Sequence, residues 1–163
     1  DLTGTTSQFD EGQAALDERL AAIKTEYGAA LAGVPVTQVN VTQGEIWLST
    51  SKSLVYERLE AAGFDYNSAL TDDPDRYVAP LTRENIPSLA DQGAIFYQIN
   101  YDGSVSPDVQ SLLDEPAFKE LPAVQAGMLS PVRGSTIYTF AAANAMADDL
   151  EAAAQAISEK SGS

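Results

Sequence analysis

The sequence predicts an α/β fold: a three-layer αβα lobe with a mostly parallel sheet. Helix-period apolar runs alternate with short strand-like runs along the chain. The stretch 94–99 is almost continuously apolar, as a strand covered on both faces would be. The chain has 163 residues, 44% of them hydrophobic and 20% charged, which suits one folded core.

Residues 1–8 are small and polar and read as a disordered lead-in, so the lobe is expected over 9–160. A helix is predicted from Glu11 to Leu31, because Leu16, Leu20, Ile23, Tyr27 and Leu31 recur at steps of three or four. Asp10 and Gln13 have the spacing of a capping box, with Phe9 as the staple residue. Gly33 and Pro35 stop the helix. Val36 to Thr42 reads as a strand. A turn at Gln43-Gly44 leads to a short second strand, in which Ile46 and Leu48 face one way and Trp47 the other. Ser49 to Ser53 is a polar loop with several possible caps. The helix after it carries Val55, Leu59 and Ala62 and ends at Gly63 in the left-handed position.

Asp65 to Pro80 reads as long and irregular. A helical turn is expected over Arg83 to Ala90, although Pro87 removes an amide from it. Ala94 to Ile99 is the clearest strand. Ser106-Pro107-Asp108 starts a helix well, with a cap, a preorganised first position and an early acidic residue. Its apolar side is Val109, Leu112 and Leu113. Pro116 ends that helix or begins a turn around Phe118. A short strand is expected over Met128 to Val132. A last, alanine-rich helix runs from Phe140 to Ser158.

Composition removes several chemistries. There are 24 acidic and 9 basic residues, for a formal charge of −15. Nucleic acid and anionic membrane are poor partners for such a surface. No apolar run approaches a membrane span. The absence of cysteine excludes disulfide and thiolate chemistry, and the absence of histidine removes the usual general base and the commonest metal ligand. No Gly-rich phosphate loop, dinucleotide fingerprint or nucleophile elbow is present. Asp72, Asp73 and Asp75 lack the spacing of a calcium loop and read as an ordinary polar turn. Arg133-Gly134-Ser135 is too sparse for an anion nest. No metal or cofactor held by side chains is expected. The chain begins Asp1-Leu2 with no initiator methionine or signal peptide, which reads as a processed or excised piece.

Aromatic residues near strand ends are the better site candidates. Pockets in parallel α/β folds form beyond the carboxyl ends of the strands, and aromatic walls with a few polar tips suit a medium-sized ligand. Trp47, Tyr56, Tyr97 and Tyr101 lie at such places, with Lys52 and Arg83 available against an anion. Core or surface packing is the commoner role for any one of these rings. Trp47 is favoured because its neighbours claim the buried face.

Phe118-Lys119-Glu120-Leu121-Pro122-Ala123-Val124-Gln125-Ala126-Gly127-Met128-Leu129 resembles a segment late in the C-terminal lobe of iron-siderophore and cobalamin-type substrate-binding proteins of ABC importers. Leu54 to Phe64 is similar to a helix of that lobe. Thr82-Arg83-Glu84-Asn85-Ile86, with Leu89 and the strand 94–97, resembles a third stretch. In order and spacing these matches cover about residues 12 to 157. The resemblance implies one half of a two-lobed, helix-joined protein that lacks its N-terminal lobe here. It implies a ferric siderophore or similar chelate as ligand, contacted by Trp47, Lys52, Tyr97 and Tyr101. It further implies that Glu84 docks on an ABC permease. Taken alone, Glu84 is a first-turn carboxylate that favours the helix dipole. The location implied is extracytoplasmic, in the periplasm or on the outer face of the membrane, with lipid anchoring of a parent left open. The ligand brings its own iron donors, so histidine and cysteine are not needed. A single lobe is expected to bind ligand weakly or not at all. Two other readings stay open: an acidic α/β interaction domain, and a carboxylate enzyme working without histidine.

Overall fold

The computed structural model describes residues 2–71, 75–134 and 139–162, with side chains from residue 8 onward. Its helices are α1 (Leu2–Leu31), α2 (Leu54–Ala61), α3 (Ser68–Thr71), α4 (Pro107–Leu113), α5 (Pro116–Lys119), α6 (Pro122–Gln125) and α7 (Phe140–Ser161). The strands are β1 (Pro35–Thr42), β2 (Glu45–Ser49), β3 (Asp65–Tyr66), β4 (Val78–Leu81), β5 (Ala94–Ile99) and β6 (Leu129–Arg133). A 3-10 helix spans Arg83–Leu89. No helix among the described residues is long and apolar enough to cross a membrane.

The six strands form one sheet in the order β4-β2-β1-β5-β6, with β3 paired to the start of β1. Only β2 runs against the others, so the sheet is mostly parallel. Val36 to Val39 are buried without a break, as are Ala94 to Phe96. Consecutive burial means that helices cover both faces of the central strands. α7 packs on α1 and along β6, α4 packs on β1 and β5, and α6 packs on β5.

α1 buries Leu16, Leu20, Ile23 and Leu31, the stripe that the sequence spacing marks. The helix starts at Leu2, not Glu11, so the expected lead-in carries helical backbone from Leu2 onward. No proline interrupts that stretch, and extending an existing helix costs far less than nucleating one. Asp10 therefore lies inside the helix and does not cap it. Gln13 donates to Asp17 one turn on, at 2.8 Å. The Phe9 ring meets Phe140 of α7, with centroids 5.3 Å apart.

α2 is closed at both ends by the expected chemistry. The Ser53 hydroxyl accepts the Tyr56 N–H at 3.2 Å. At the far end the Phe64 N–H donates to Leu59 O and the Gly63 N–H to Glu60 O, both at 3.0 Å, with Gly63 at φ 92°. These are the paired bonds of a Schellman ending. A Cβ at Gly63 would lie 2.8 Å from Cγ of Lys24 on α1. Gly63→Ala is expected to cost about 1–2 kcal/mol. Urea unfolding should show a lower midpoint with an unchanged slope.

The region read as irregular, 65–80, holds β3, α3 and most of β4. β4 lacks a strand signature in the sequence because it is a short edge strand containing Pro80, whose missing N–H is tolerated at an edge. Asp72 and Asp73 lie outside the described residues, as does Ser135. No group of three metal-ligating side chains occurs among the described residues. Pro87 is accommodated by 3-10 geometry, in which Asn85 N–H bonds to Thr82 O and Ala90 N–H to Pro87 O. Ser106 caps α4 by accepting the Val109 N–H at 3.2 Å.

Candidate functional site

Four neighbouring strands, β4, β2, β1 and β5, build a pocket on one face of the sheet. Gln38, Asn40 and Thr42 are alternate residues of β1 and share a face. In the register, Asn40 lies opposite Trp47, and Ser49 lies opposite Val78. These residues, with Gln98 of β5, line a cavity of about 340 Å³. The opposite face of β2 holds Ile46 and Leu48, both buried. Alternation therefore leaves Trp47 half-buried on the pocket side, as the sequence suggests.

Beneath the pocket lies a fixed polar network. The β1–β2 ladder ends at Val39 and Leu48, while β3 reaches only Val36. The Tyr66 hydroxyl fills the gap: it donates to Ser49 O at 2.7 Å and accepts the Gln38 N–H at 3.3 Å. Burial pushes its pKa up from 10.0 to about 12. The Tyr56 ring meets the Tyr66 ring edge-on at 5.5 Å. The Ser49 hydroxyl donates to Gln38 Oε1. Gln38 Nε2 and Gln98 Oε1 are buried with no hydrogen-bond partner among the described residues.

The other candidates are spread around this site. The Lys52 ammonium lies 4.7 Å over the Tyr77 ring and donates to Asp75 O at 3.4 Å, outside the pocket lining. Tyr97 follows Phe96 and precedes Gln98, so it points to the opposite face of the sheet. Partial burial raises its phenol pKa. Tyr101 is 52% exposed in the turn after β5, within electrostatic reach of Arg58. Arg83 is paired with Glu115 and is not free to meet an anion. Arg133 is paired with Asp149 at 3.1 Å.

Glu84 is exposed in the first turn of the 3-10 helix. β4 runs in the same sense as β1, so this helix begins at the rim where the parallel strands end. Glu84 shares a shallow depression there with Glu45 and Gly44 of the β1–β2 turn. The structure thus places Trp47 and Glu84 toward one rim and leaves Tyr97 off it.

Sequence reasoning missed Gln38, Asn40, Gln98 and Tyr66. The signal for the first two was present: polar residues alternate with valine through Gln38, Asn40 and Thr42. A second groove, about 300 Å³, lies among Phe9, Leu16, Leu54, Arg58, Phe140 and Ala143. There Arg58 Nη1 is buried without a hydrogen-bond partner among the described residues, and burial lowers the guanidinium pKa.

No family profile and no curated protein sequence matches the chain. Solved structures do. The siderophore periplasmic binding protein from the fuscachelin gene cluster of Thermobifida fusca superposes with a TM-score of 0.82 at 28% identity, over 90% of this chain and 53% of that one. FhuD2 from Staphylococcus aureus with bound ferrioxamine B gives 0.74 at 15%, over 96% and 61%. PiaA from Streptococcus pneumoniae in complex with ferrichrome gives 0.62 at 15%, over 93% and 55%. The last two likenesses show the fold alone. The chain spans about half the length of the Thermobifida protein. A mostly parallel sheet flanked by helices, matched over nearly the whole chain, makes its structure similar to one lobe of a siderophore periplasmic binding protein.

Proposed function

We propose that this lobe is the C-terminal half of an extracytoplasmic substrate-binding component of an ABC importer, and that it holds a ferric siderophore or similar chelate against Trp47. The observation that carries the reading is the Trp47 pocket, open at the carboxyl-end rim of a fold shared with siderophore-binding proteins. An indole and several amides suit a chelate that already satisfies its metal and offers apolar and carbonyl surface outward. A second lobe supplies the facing wall, so the lobe alone binds more weakly than a two-lobed chain. Glu84 meets an arginine of the permease, since an exposed rim carboxylate accepts a guanidinium in bidentate fashion.

Trp47 is the single tryptophan of the chain, so its fluorescence reports on the pocket directly. Titration with ferrioxamine B or ferrichrome is expected to quench it in a saturable way. Trp47→Ala should weaken binding, read by calorimetry, by about tenfold or more. Glu84→Arg should leave that affinity unchanged and abolish chelate uptake in cells carrying the importer. Unchanged binding by Trp47→Ala rejects the pocket, and unchanged uptake by Glu84→Arg rejects the docking role.

A further inference from the structure

One half-buried guanidinium of the lobe lacks a counterpart. Arg58 reaches from α2 into the groove of about 300 Å³ between α1, α2 and α7. Arg19, Arg83 and Arg133 each meet a carboxylate, whereas no ion pair to Arg58 occurs among the described residues. Its Nη1 is buried with no hydrogen-bond partner among them. Glu57, the preceding residue, is exposed and acts on it only through space. The walls around this cation are apolar. Phe9 and Leu54 are 59% and 49% exposed, large side chains that a lobe of this size would ordinarily cover. Phe140 meets Phe9, and the buried Leu16 and Ala143 close the floor. Two helices also begin here, α2 at Leu54 and α7 at Phe140, and a helix start favours negative charge. The Thr139 hydroxyl caps α7 by accepting the Ala142 N–H at 3.2 Å, which leaves its own proton to donate.

We infer that this groove binds a small monocarboxylate with an apolar tail, its carboxylate against Arg58 and Thr139 and its tail along Phe9, Leu54 and Phe140. The site is built from helices of this chain, shares no lining residue with the Trp47 pocket, and does not depend on what that pocket holds. Burial strips hydration from the Arg58 guanidinium and lowers its pKa, and no carboxylate among the described residues restores what is lost. A bound carboxylate does so through a charge-assisted hydrogen bond, which Nη1 reaches by a turn of the last side-chain torsions. The tail removes the Phe9 and Leu54 surfaces from water. One guanidinium balances one charge. A dianion would place its second charge against aromatic and aliphatic walls, on a chain whose formal charge is already −15. A cavity of this volume lies at the lower limit for ligand pockets, so the tail is short.

The test is titration of this chain with octanoate, octanol and acetate, read by calorimetry and by amide chemical shifts. Octanoate is expected to bind about tenfold or more tighter than octanol, which has the tail without the charge. Acetate, which has the charge without the tail, is expected to bind about tenfold or more weaker than octanoate. Arg58→Met keeps an apolar stem of similar length. It is expected to weaken octanoate roughly tenfold while changing octanol by less than about twofold. Shifts on octanoate binding are expected at Leu54, Arg58 and Ala143. Octanol equal to octanoate overturns the inference by removing the cation from it, and acetate equal to octanoate overturns it by removing the apolar walls. Octanoate binding undiminished in Arg58→Met overturns it as well, as does the absence of octanoate binding. Shifts confined to Gln38, Asn40 and Trp47 would move the carboxylate to the strand pocket and overturn it too. None of these outcomes bears on the chelate reading, which the Trp47 titrations test separately.

Discussion

Phe96→Ala is expected to lower the stability of the lobe by about 3–5 kcal/mol, the largest loss from any single substitution considered for this chain. Phe96 is 1% exposed in the middle of β5, a strand hydrogen-bonded on both sides. Its ring meets Phe64 edge-on, with centroids 5.2 Å apart and planes at 87°. Phe64 is the residue after Gly63, at the end of α2, so the ring pair joins that helix to the sheet. Truncation removes the buried ring area, the aromatic pair and the packing of everything around the hole. In the register Phe96 lies beside Gln38, so the pocket floor loses its support in the same step. Chemical unfolding followed by circular dichroism should show the midpoint fall with little change in slope. Phe96→Leu, which refills most of the volume, should recover a large part of the loss. A fall below about 1 kcal/mol for the alanine variant would mean that the ring pair does not join helix to sheet as described.

The same strand shows what sequence can and cannot reveal about this fold. Ala94 to Ile99 is legible as a strand because it is apolar and flanked by turn residues. Burial on both faces removes the alternation that would say which side each residue takes. The sequence reading therefore names Tyr97, whereas the structure turns Gln98 to the pocket and Tyr97 to the other face. β2 is the contrary case. Ile46 and Leu48 alternate with Trp47, so one buried face implies the other, and Trp47 lines the site as the pattern suggests. Local chemistry is legible where a single residue type satisfies a backbone need: Ser106 as a cap, Gly63 as a left-handed stop; Ser53 is one of several caps its loop offers, and the structure selects it. It was illegible where tertiary pairing creates the element. Val78–Leu81 is a strand because β2 offers an edge, and nothing in four residues around a proline announces that. Lys52 is polar and loop-borne in sequence, yet its partner, the Tyr77 ring, is distant along the chain.

Tyr66→Phe is the second large effect, and its pH dependence separates it from ordinary loss of packing. The phenylalanine ring keeps the edge-on contact with Tyr56 and nearly all of the buried area. What goes is one oxygen that serves two backbone groups, Ser49 O and the Gln38 N–H, at the point where β1 passes from β3 to β2. Orphaning buried polar groups costs about 1–3 kcal/mol at neutral pH. Burial raises the Tyr66 pKa from 10.0 to about 12, so the folded lobe holds the phenolic proton more tightly than the unfolded chain does. Below about pH 10 both states are protonated and the contribution is complete. As pH rises from 10.0 toward 12, the unfolded chain releases the proton first, and stability falls by an amount on the order of 3 kcal/mol. The phenylalanine variant has no such proton. Its deficit against the parent should therefore narrow across that interval, while the other tyrosines titrate alike in both proteins. Denaturant midpoints measured for the pair from neutral pH upward give this difference directly. A deficit that stays constant through the interval would mean that the Tyr66 hydroxyl is not the buried bridge between Gln38 and Ser49, and the fixed floor beneath Trp47 would have to be sought elsewhere.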